Sequence, residues 1–226
     1  MSASPTAAHR HFHDELSALK AKLLTMSGEA QDALGRALDA LLRRDGELAT
    51  RVIAGDHEVD ALELEIEETV IDLLATQQPM ARDLRLLVAA TKIANDLERV
   101  GDHAVNIAQS AERLLKARLI APEPELLEMA RQARAMLSGA LDAFVRGDPK
   151  LGREICRRDD SVDALHHSVF RILLTHMMED PHIIGAAMDL FLVSRNLERV
   201  ADLATNIAED VVFVVEGKTI KHHAEG

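Results

Sequence analysis

The sequence predicts an all-α protein of six long helices forming two tandem three-helix bundles, and three observations carry that prediction. Aromatic strand formers are nearly missing: the 226 residues include five Phe and no Trp or Tyr. Leu, Ala, Glu, Arg and Asp dominate instead, a palette rich in good helix formers. An apolar stripe then runs through Leu86, Ala90, Ile93, Leu97, Val100, Ala104, Ile107, Ala111 and Leu114 at alternating steps of four and three. That is the spacing of an amphipathic helix committed to a bundle core. Finally, the segment Asp96–Ser110 returns one hundred residues later as Asn196–Asp210, identical at nine of fifteen positions.

Each element follows from local signals. Asp45-Gly46, Pro79, Pro122 with Pro124, Gly147-Asp148-Pro149 and Pro181 punctuate the chain, and proline and glycine end helices. Between these marks the sequence predicts helices over 10–43, 46–77, 81–117, 124–145, 149–178 and 182–215. The last repeats the stripe of the third through Ala186, Leu190, Val193, Leu197, Val200, Ala204, Ile207, Val211 and Val214. The expected organisation is a flexible tail over 1–12, a first bundle over 13–118, a linker over 119–124, a second bundle over 125–217 and a tail over 218–226. Upstream the repeat has a register of 103, for example Asp56, Val59 and Asp60 against Asp159, Val162 and Asp163. Three residues are therefore missing from the second half between its second and third helices, where a loop tolerates a deletion.

Charge and composition exclude several classes. A net charge of −12 disfavours sequence-independent nucleic-acid binding, which needs a Lys/Arg footprint. Cys156 is the single cysteine, so there is no disulfide framework and no thiolate zinc site. No signal peptide and no membrane-spanning apolar run is evident, so no membrane insertion and a cytoplasmic location are expected.

The candidate functional residues are the carboxylates repeated with the motif: Glu98 and Asp102, answered by Glu198 and Asp202. At about 100° per residue they project roughly 160° from the middle of the apolar stripe, onto the surface. Two carboxylates at i and i+4 repel, and a cation would reverse the sign. The preceding helix adds an acidic line at Asp56, Asp60, Glu63 and Glu67, with Asp159, Asp163 and His166 as counterparts. Oxygens from both helices would converge if the two pack side by side, giving a donor set suited to Mg²⁺, Mn²⁺, Ca²⁺ or iron better than to structural zinc. A solvated polar face explains one such pair equally well. Two faces keeping Glu, Arg, Asp and Asn in register after duplication favour a metal or partner role.

Other positions are read more plainly. His9, His11 and His13 suggest a mobile tail, Cys156 a packed small hydrophobe. His103 is either a neighbour in the metal site or a half-exposed hydrogen-bonded histidine. Asp83 in Ala81-Arg82-Asp83-Leu84-Arg85 is either a helix cap or part of a basic partner-facing spot. Arg157 and Arg158 form a second basic spot.

Pro79-Met80-Ala81-x-Asp83-Leu84-Arg85, Leu97-Glu98-Arg99-Val100-Gly101-Asp102-His103-Ala104-x-Asn106-Ile107-Ala108 and Leu197-Glu198-Arg199-Val200-Ala201-Asp202-x-Ala204-Thr205-Asn206-Ile207-Ala208 together resemble the PhoU family of phosphate-signalling proteins. The resemblance runs from about His9 to His222. It implies two three-helix bundles related by a pseudo-twofold axis, with metal ions (Mg, Mn, Fe or Zn) held at the E-x-x-x-D motifs. Carried over by position, Glu98, Asp102, Glu198 and Asp202 are the implied metal residues, with Asp60 and Asp163 in second place. Leu203 departs from the pattern, standing where the family usually has His. The implied role is a cytoplasmic accessory of phosphate-specific transport and negative regulator of the phosphate-starvation response, not an enzyme. Its implied partners are a sensor histidine kinase and the ATP-binding subunit of a phosphate ABC transporter, with a homodimer expected. The rivals are a di-iron carboxylate oxidase and a metal-free scaffold. The first needs E-x-x-H pairs facing a bundle interior, and the chain offers only Glu179 to His182, interrupted by Pro181.

Overall fold

In the computed structural model, which describes residues 7–117 and 120–220, the chain runs as α1 (Ala7–Arg43), α2 (Gly46–Gly55), α3 (His57–Gln77), α4 (Ala81–Lys116), α5 (Pro124–Arg146), α6 (Pro149–Cys156), α7 (Asp159–Glu179) and α8 (Ile184–Glu216). The first bundle packs α1, the α2–α3 rod and α4; the second packs α5, the α6–α7 rod and α8. The two bundles meet chiefly along α4 and α8. Lys92 with Asp210 and Arg113 with Asp189 set these two helices antiparallel, related by a pseudo-twofold axis near Gly101 and Ala201. The apolar stripes predicted for α4 and α8 are buried throughout, from Leu86 to Leu114 and from Ala186 to Val214.

The six expected rods are present, and two of them are jointed. The helix expected over 46–77 breaks at Asp56, and that over 149–178 at Arg157 and Arg158. Both joints close with i to i+3 backbone bonds, Val59 N–H to Asp56 O at 3.0 Å and Arg158 N–H to Ile155 O at 2.9 Å, which tighten the turn and tilt the short segment onto the neighbouring bundle helix. Only Gly55-Asp56 hints at this in sequence.

Caps explain the other ends. Asp45 accepts from Leu48 N–H at 2.9 Å, and Asp148 from Lys150 N–H at 2.9 Å and Leu151 N–H at 3.2 Å. The missing three residues are absorbed at the start of α8. It has 33 residues against 36 in α4, and a 3₁₀ turn over Pro181–Ile183, capped by Asp180, precedes it.

One boundary needs correcting. Helix α1 begins at Ala7, so residues 7–12, expected as tail, are helical. Helix-forming Ala7 and Ala8 extend the first turn, and Phe12 packs against the core ahead of buried Leu16. At the other end Ile220, expected in the tail, also packs on the core. Residues 1–6, 118–119 and 221–226 lie outside the described residues.

Candidate functional site

Helix α3 lies along α4 and brings its acidic line toward Glu98 and Asp102. Burial pushes the Glu98 carboxyl up to about 7, reinforced by Asp102, Glu63, Asp60 and Asp56. Asp56 is raised too, first by burial and then by Asp60 and Asp102. Gly101 makes the approach possible: a Cβ there would sit 3.3 Å from Asp56 Oδ1. Asn95 donates to Glu63 at 3.4 Å. Five carboxylates from two helices thus share one field, and Glu98 is half-buried rather than fully outward as helix geometry alone suggests.

The second face keeps Glu198 and Asp202 on α8 beside α7 with Asp159 and Asp163, but its surroundings differ. Arg199 donates to Asp202 at 2.9 Å. His166, in the place of Glu63, lies 3.1 Å from Ser194 Oγ and stacks on Phe191 at 5.4 Å. Phe170 replaces Glu67 and also meets Phe191. Leu203 is buried at 2% exposure, so no histidine could face solvent there without unpacking the core.

Among the described residues no three of His, Cys, Asp or Glu converge as a ready-made ion cage. The donors fit a hard cation in chemistry, since all are oxygens in mutual repulsion, while final coordination requires side-chain rotation.

The remaining candidates settle into structural contacts. His103 Nδ1 lies 2.9 Å from Asn196 Oδ1 across the bundle interface, and burial lowers its pKa. Cys156 is buried, its thiol pushed up to about 11 by desolvation. Asp83 makes no side-chain cap; α4 opens from extended Met80. Arg85 donates to Val214 O at 3.3 Å, tying the start of α4 to the end of α8. Arg158 pairs with Glu154. His11 reaches Glu15 at 3.4 Å, and the Ser17 hydroxyl donates to His13 O at 2.8 Å. The His9 side chain lies outside what is described.

Sequence reasoning missed the polar seam between α4 and α8. Lys92 donates to Asp210 at 3.0 Å, and Arg113 to Asp189 at 2.6 Å. Asp96 is buried and raised to about 6, mainly by desolvation and by Asp210. The signal was available: Lys92, Asp96, Arg99, His103, Asn106, Ser110 and Arg113 recur at steps of four and three beside the apolar stripe.

Comparison with known proteins places this architecture. The family model for the PhoU domain matches twice, over residues 23–111 and 126–211. A PhoU homolog described as a phosphate-specific transport system accessory protein, from Zymomonas mobilis subsp. mobilis, is 39% identical over 215 residues, 95% of this chain and 91% of the relative. Another from Caulobacter vibrioides is 40% identical over 212 residues, 93% of this chain and 92% of the relative. The crystal structure of PhoU from Pseudomonas aeruginosa superposes with a TM-score of 0.89 at 36% identity, covering 92% of this chain and 100% of that one. That of the phosphate transport system regulatory protein PhoU from Streptococcus pneumoniae gives 0.86 at 28% identity, covering 93% and 99%. These are names of accessory and regulatory proteins rather than of enzymes, and the single E-x-x-H of the sequence, Glu179 to His182, is split by the 3₁₀ turn at Pro181. With both of its halves matched by the domain and relatives alike over nine-tenths of their length, this chain belongs to the PhoU family.

Proposed function

We propose that the protein is an accessory of the phosphate-specific transport system that restrains phosphate uptake and the phosphate-starvation response when phosphate is plentiful. The observation that carries this reading is the match along nearly the whole chain to relatives described as accessory proteins of that system. Among the described residues no helix is long and apolar enough to cross a membrane, in keeping with action from the cytoplasm through protein contacts. The contacts implied by the family resemblance are the ATP-binding subunit of the transporter and a sensor histidine kinase, with the protein acting as a homodimer.

Metal ions bound at the two carboxylate faces are part of the proposal. Glu98 and Asp102 with Asp60 would hold the ion in the first half, Glu198 and Asp202 with Asp163 in the second, and the ion would supply positive charge to faces that otherwise repel themselves.

The test is the output of a phosphate-starvation reporter, such as secreted alkaline phosphatase, in a deletion strain grown in abundant phosphate. High output returned to low by the wild-type gene is expected. Output that stays low without the gene would overturn the negative-regulator role.

A further inference from the structure

The repeated motif carries an arginine as well as its carboxylates, and the structure puts the two on different sides of the helix. Glu98 and Asp102 turn toward α3, whereas Arg99 turns toward α8. Its repeat partner Arg199 approaches from the other helix, and both contribute positive charge at His103. Between α4 and α8 they line a cleft of about 390 Å³ with Arg113, Arg195, Asn106 and Asn196. No carboxylate lines it, in a chain of net charge −12.

Two of the four arginine charges are paired within the protein and two are not. Arg113 is bound to Asp189 and Arg199 to Asp202. Arg195 and Arg99 make no ion pair with any described residue, and Arg99 feels a carboxylate only at longer range, from Asp96. The end of the seam related by the pseudo-twofold is different, because there Lys92 is matched by Asp210 at 3.0 Å and Asp96 lies close by. Joining the bundles therefore does not require arginines left without an ion pair, since the opposite end of the same joint does without them.

We propose that this cleft binds a small phosphate-type oxyanion. Guanidinium groups present rigid forks of donors that match phosphate oxygens in pairs. Here forks arrive from two helices at once. A planar carboxylate satisfies one fork, whereas a tetrahedral group has oxygens for several, and Asn106 and Asn196 add neutral donors on the same walls. A concave site of this volume suits a compact ligand rather than an extended strand or a flat protein surface. The inference stands apart from the regulatory proposal: the cleft binds its anion or fails to, whatever the signalling role.

The test uses full-length protein stripped with EDTA, titrated by calorimetry and phosphorus NMR at fixed ionic strength with orthophosphate, pyrophosphate and magnesium-free ATP. Saturable one-to-one binding of at least one probe is expected, and the probe order separates free inorganic phosphate from a phosphorylated metabolite. Arg195→Ala and Arg99→Gln should each weaken it about tenfold or more, the loss of a charge-assisted bond. Lys92→Ala, at the opposite end of the seam, and Glu98→Gln, on the carboxylate face, should leave it unchanged. Because Arg195 is exposed and unpaired among the described residues, its removal threatens no fold contact. Absence of binding by all three probes, or binding that survives both arginine variants, overturns the proposal. So does binding seen only before chelation, which would assign the anion to metal ions on the carboxylate faces.

Discussion

The two carboxylate faces share a motif and differ in everything around it. On the first, Asp56, Asp60 and Glu63 crowd Glu98 and Asp102, which make no ion pair among the described residues, and burial together with this repulsion holds Glu98 up to about 7. On the second, two of the matching positions are His166 and Phe170, packed with Phe191 into an aromatic cluster, and Arg199 clamps Asp202 at 2.9 Å. Duplication kept the helix-borne Glu and Asp in place while the neighbouring helix changed chemistry. A shared motif therefore does not imply equal affinity for a cation: the first face gains most from one, and the second is partly neutralised already.

The largest effect should come from that asymmetry. Replacing Glu98 and Asp102 together by Gln and Asn should weaken Mn²⁺ binding by about 100-fold, two lost charge-assisted contacts, whereas the matching pair at Glu198 and Asp202 should cost clearly less. Affinity at the first face should also climb as pH rises through about 7 and then level off. The sign follows from competition: below its pKa Glu98 carries a proton that a metal must displace. Calorimetry in two buffers of different ionisation enthalpy reads that released proton directly. Equal losses at the two faces would break the comparison.

Packing offers the next contrast. A Cβ on Gly152 would lie 2.8 Å from Ala208 O, a backbone atom that cannot step aside, while Ala49 occupies the matching position and is fully buried without conflict. The short helix α6 thus sits closer to α8 than α2 sits to α4. Gly152→Ala should cost about 1–3 kcal/mol by overpacking, measured by urea unfolding. Ala49→Gly should cost about 1–2 kcal/mol, from helix propensity and the loss of a buried methyl.

How much of this was legible depends on which periodicity carried it. The bundle was readable because the stripes on α4 and α8 persist for the full length of each helix, and Glu98, Asp102, Glu198 and Asp202 stood out because they recur in register. The joints at Asp56 and Arg157 were not, since the helical pattern continues across them and the break answers the tilt of a partner helix. The arginine cleft was missed for a related reason. Arg99 and Arg195 belong to different helices, and only the antiparallel pairing of α4 with α8 brings them together. His166 was grouped with the acidic residues by position, and its turn toward Ser194 and Phe191 depends on a residue of α8.

Asp96 sharpens the contrast along the seam, because its repeat partner is Asn196, which donates to Leu192 O at 2.7 Å. In the folded state Asp96 is raised from 3.8 to about 6. The native protein thus holds a proton that the unfolded chain releases, so this group's contribution to stability is full below about 4 and fades as pH rises through about 6. Asp96→Asn should remove that slope and raise stability at pH 7.5 by about 1–2 kcal/mol, less than the full shift because Lys92 and Arg99 lose a carboxylate neighbour. A steeper slope in the variant would show that Asp96 is ionised and paired in the fold.

The smallest effect tests whether the halves solve one turn in two ways. Helices α1 and α5 end alike, with Asp45 N–H to Ala40 O and Asp148 N–H to Ala143 O both at 2.9 Å and a left-handed residue just before. In the second half that residue is Gly147, with φ of 61°; in the first it is Arg44, with φ of 54°. A side chain there costs about 1 kcal/mol of backbone strain. Arg44 offsets it by donating to Leu114 O at 2.9 Å, which ties the end of α4 to the turn. Gly147→Ala should therefore lose about 1 kcal/mol, and Arg44→Gly should change stability by less than about 0.5 kcal/mol, strain relieved against a bond lost. Arg44→Ala separates the two terms, since it keeps the strain and loses the bond. It should be less stable than Arg44→Gly by thermal unfolding, and equal midpoints for the two variants would mean that the hydrogen bond alone decides the residue at this turn.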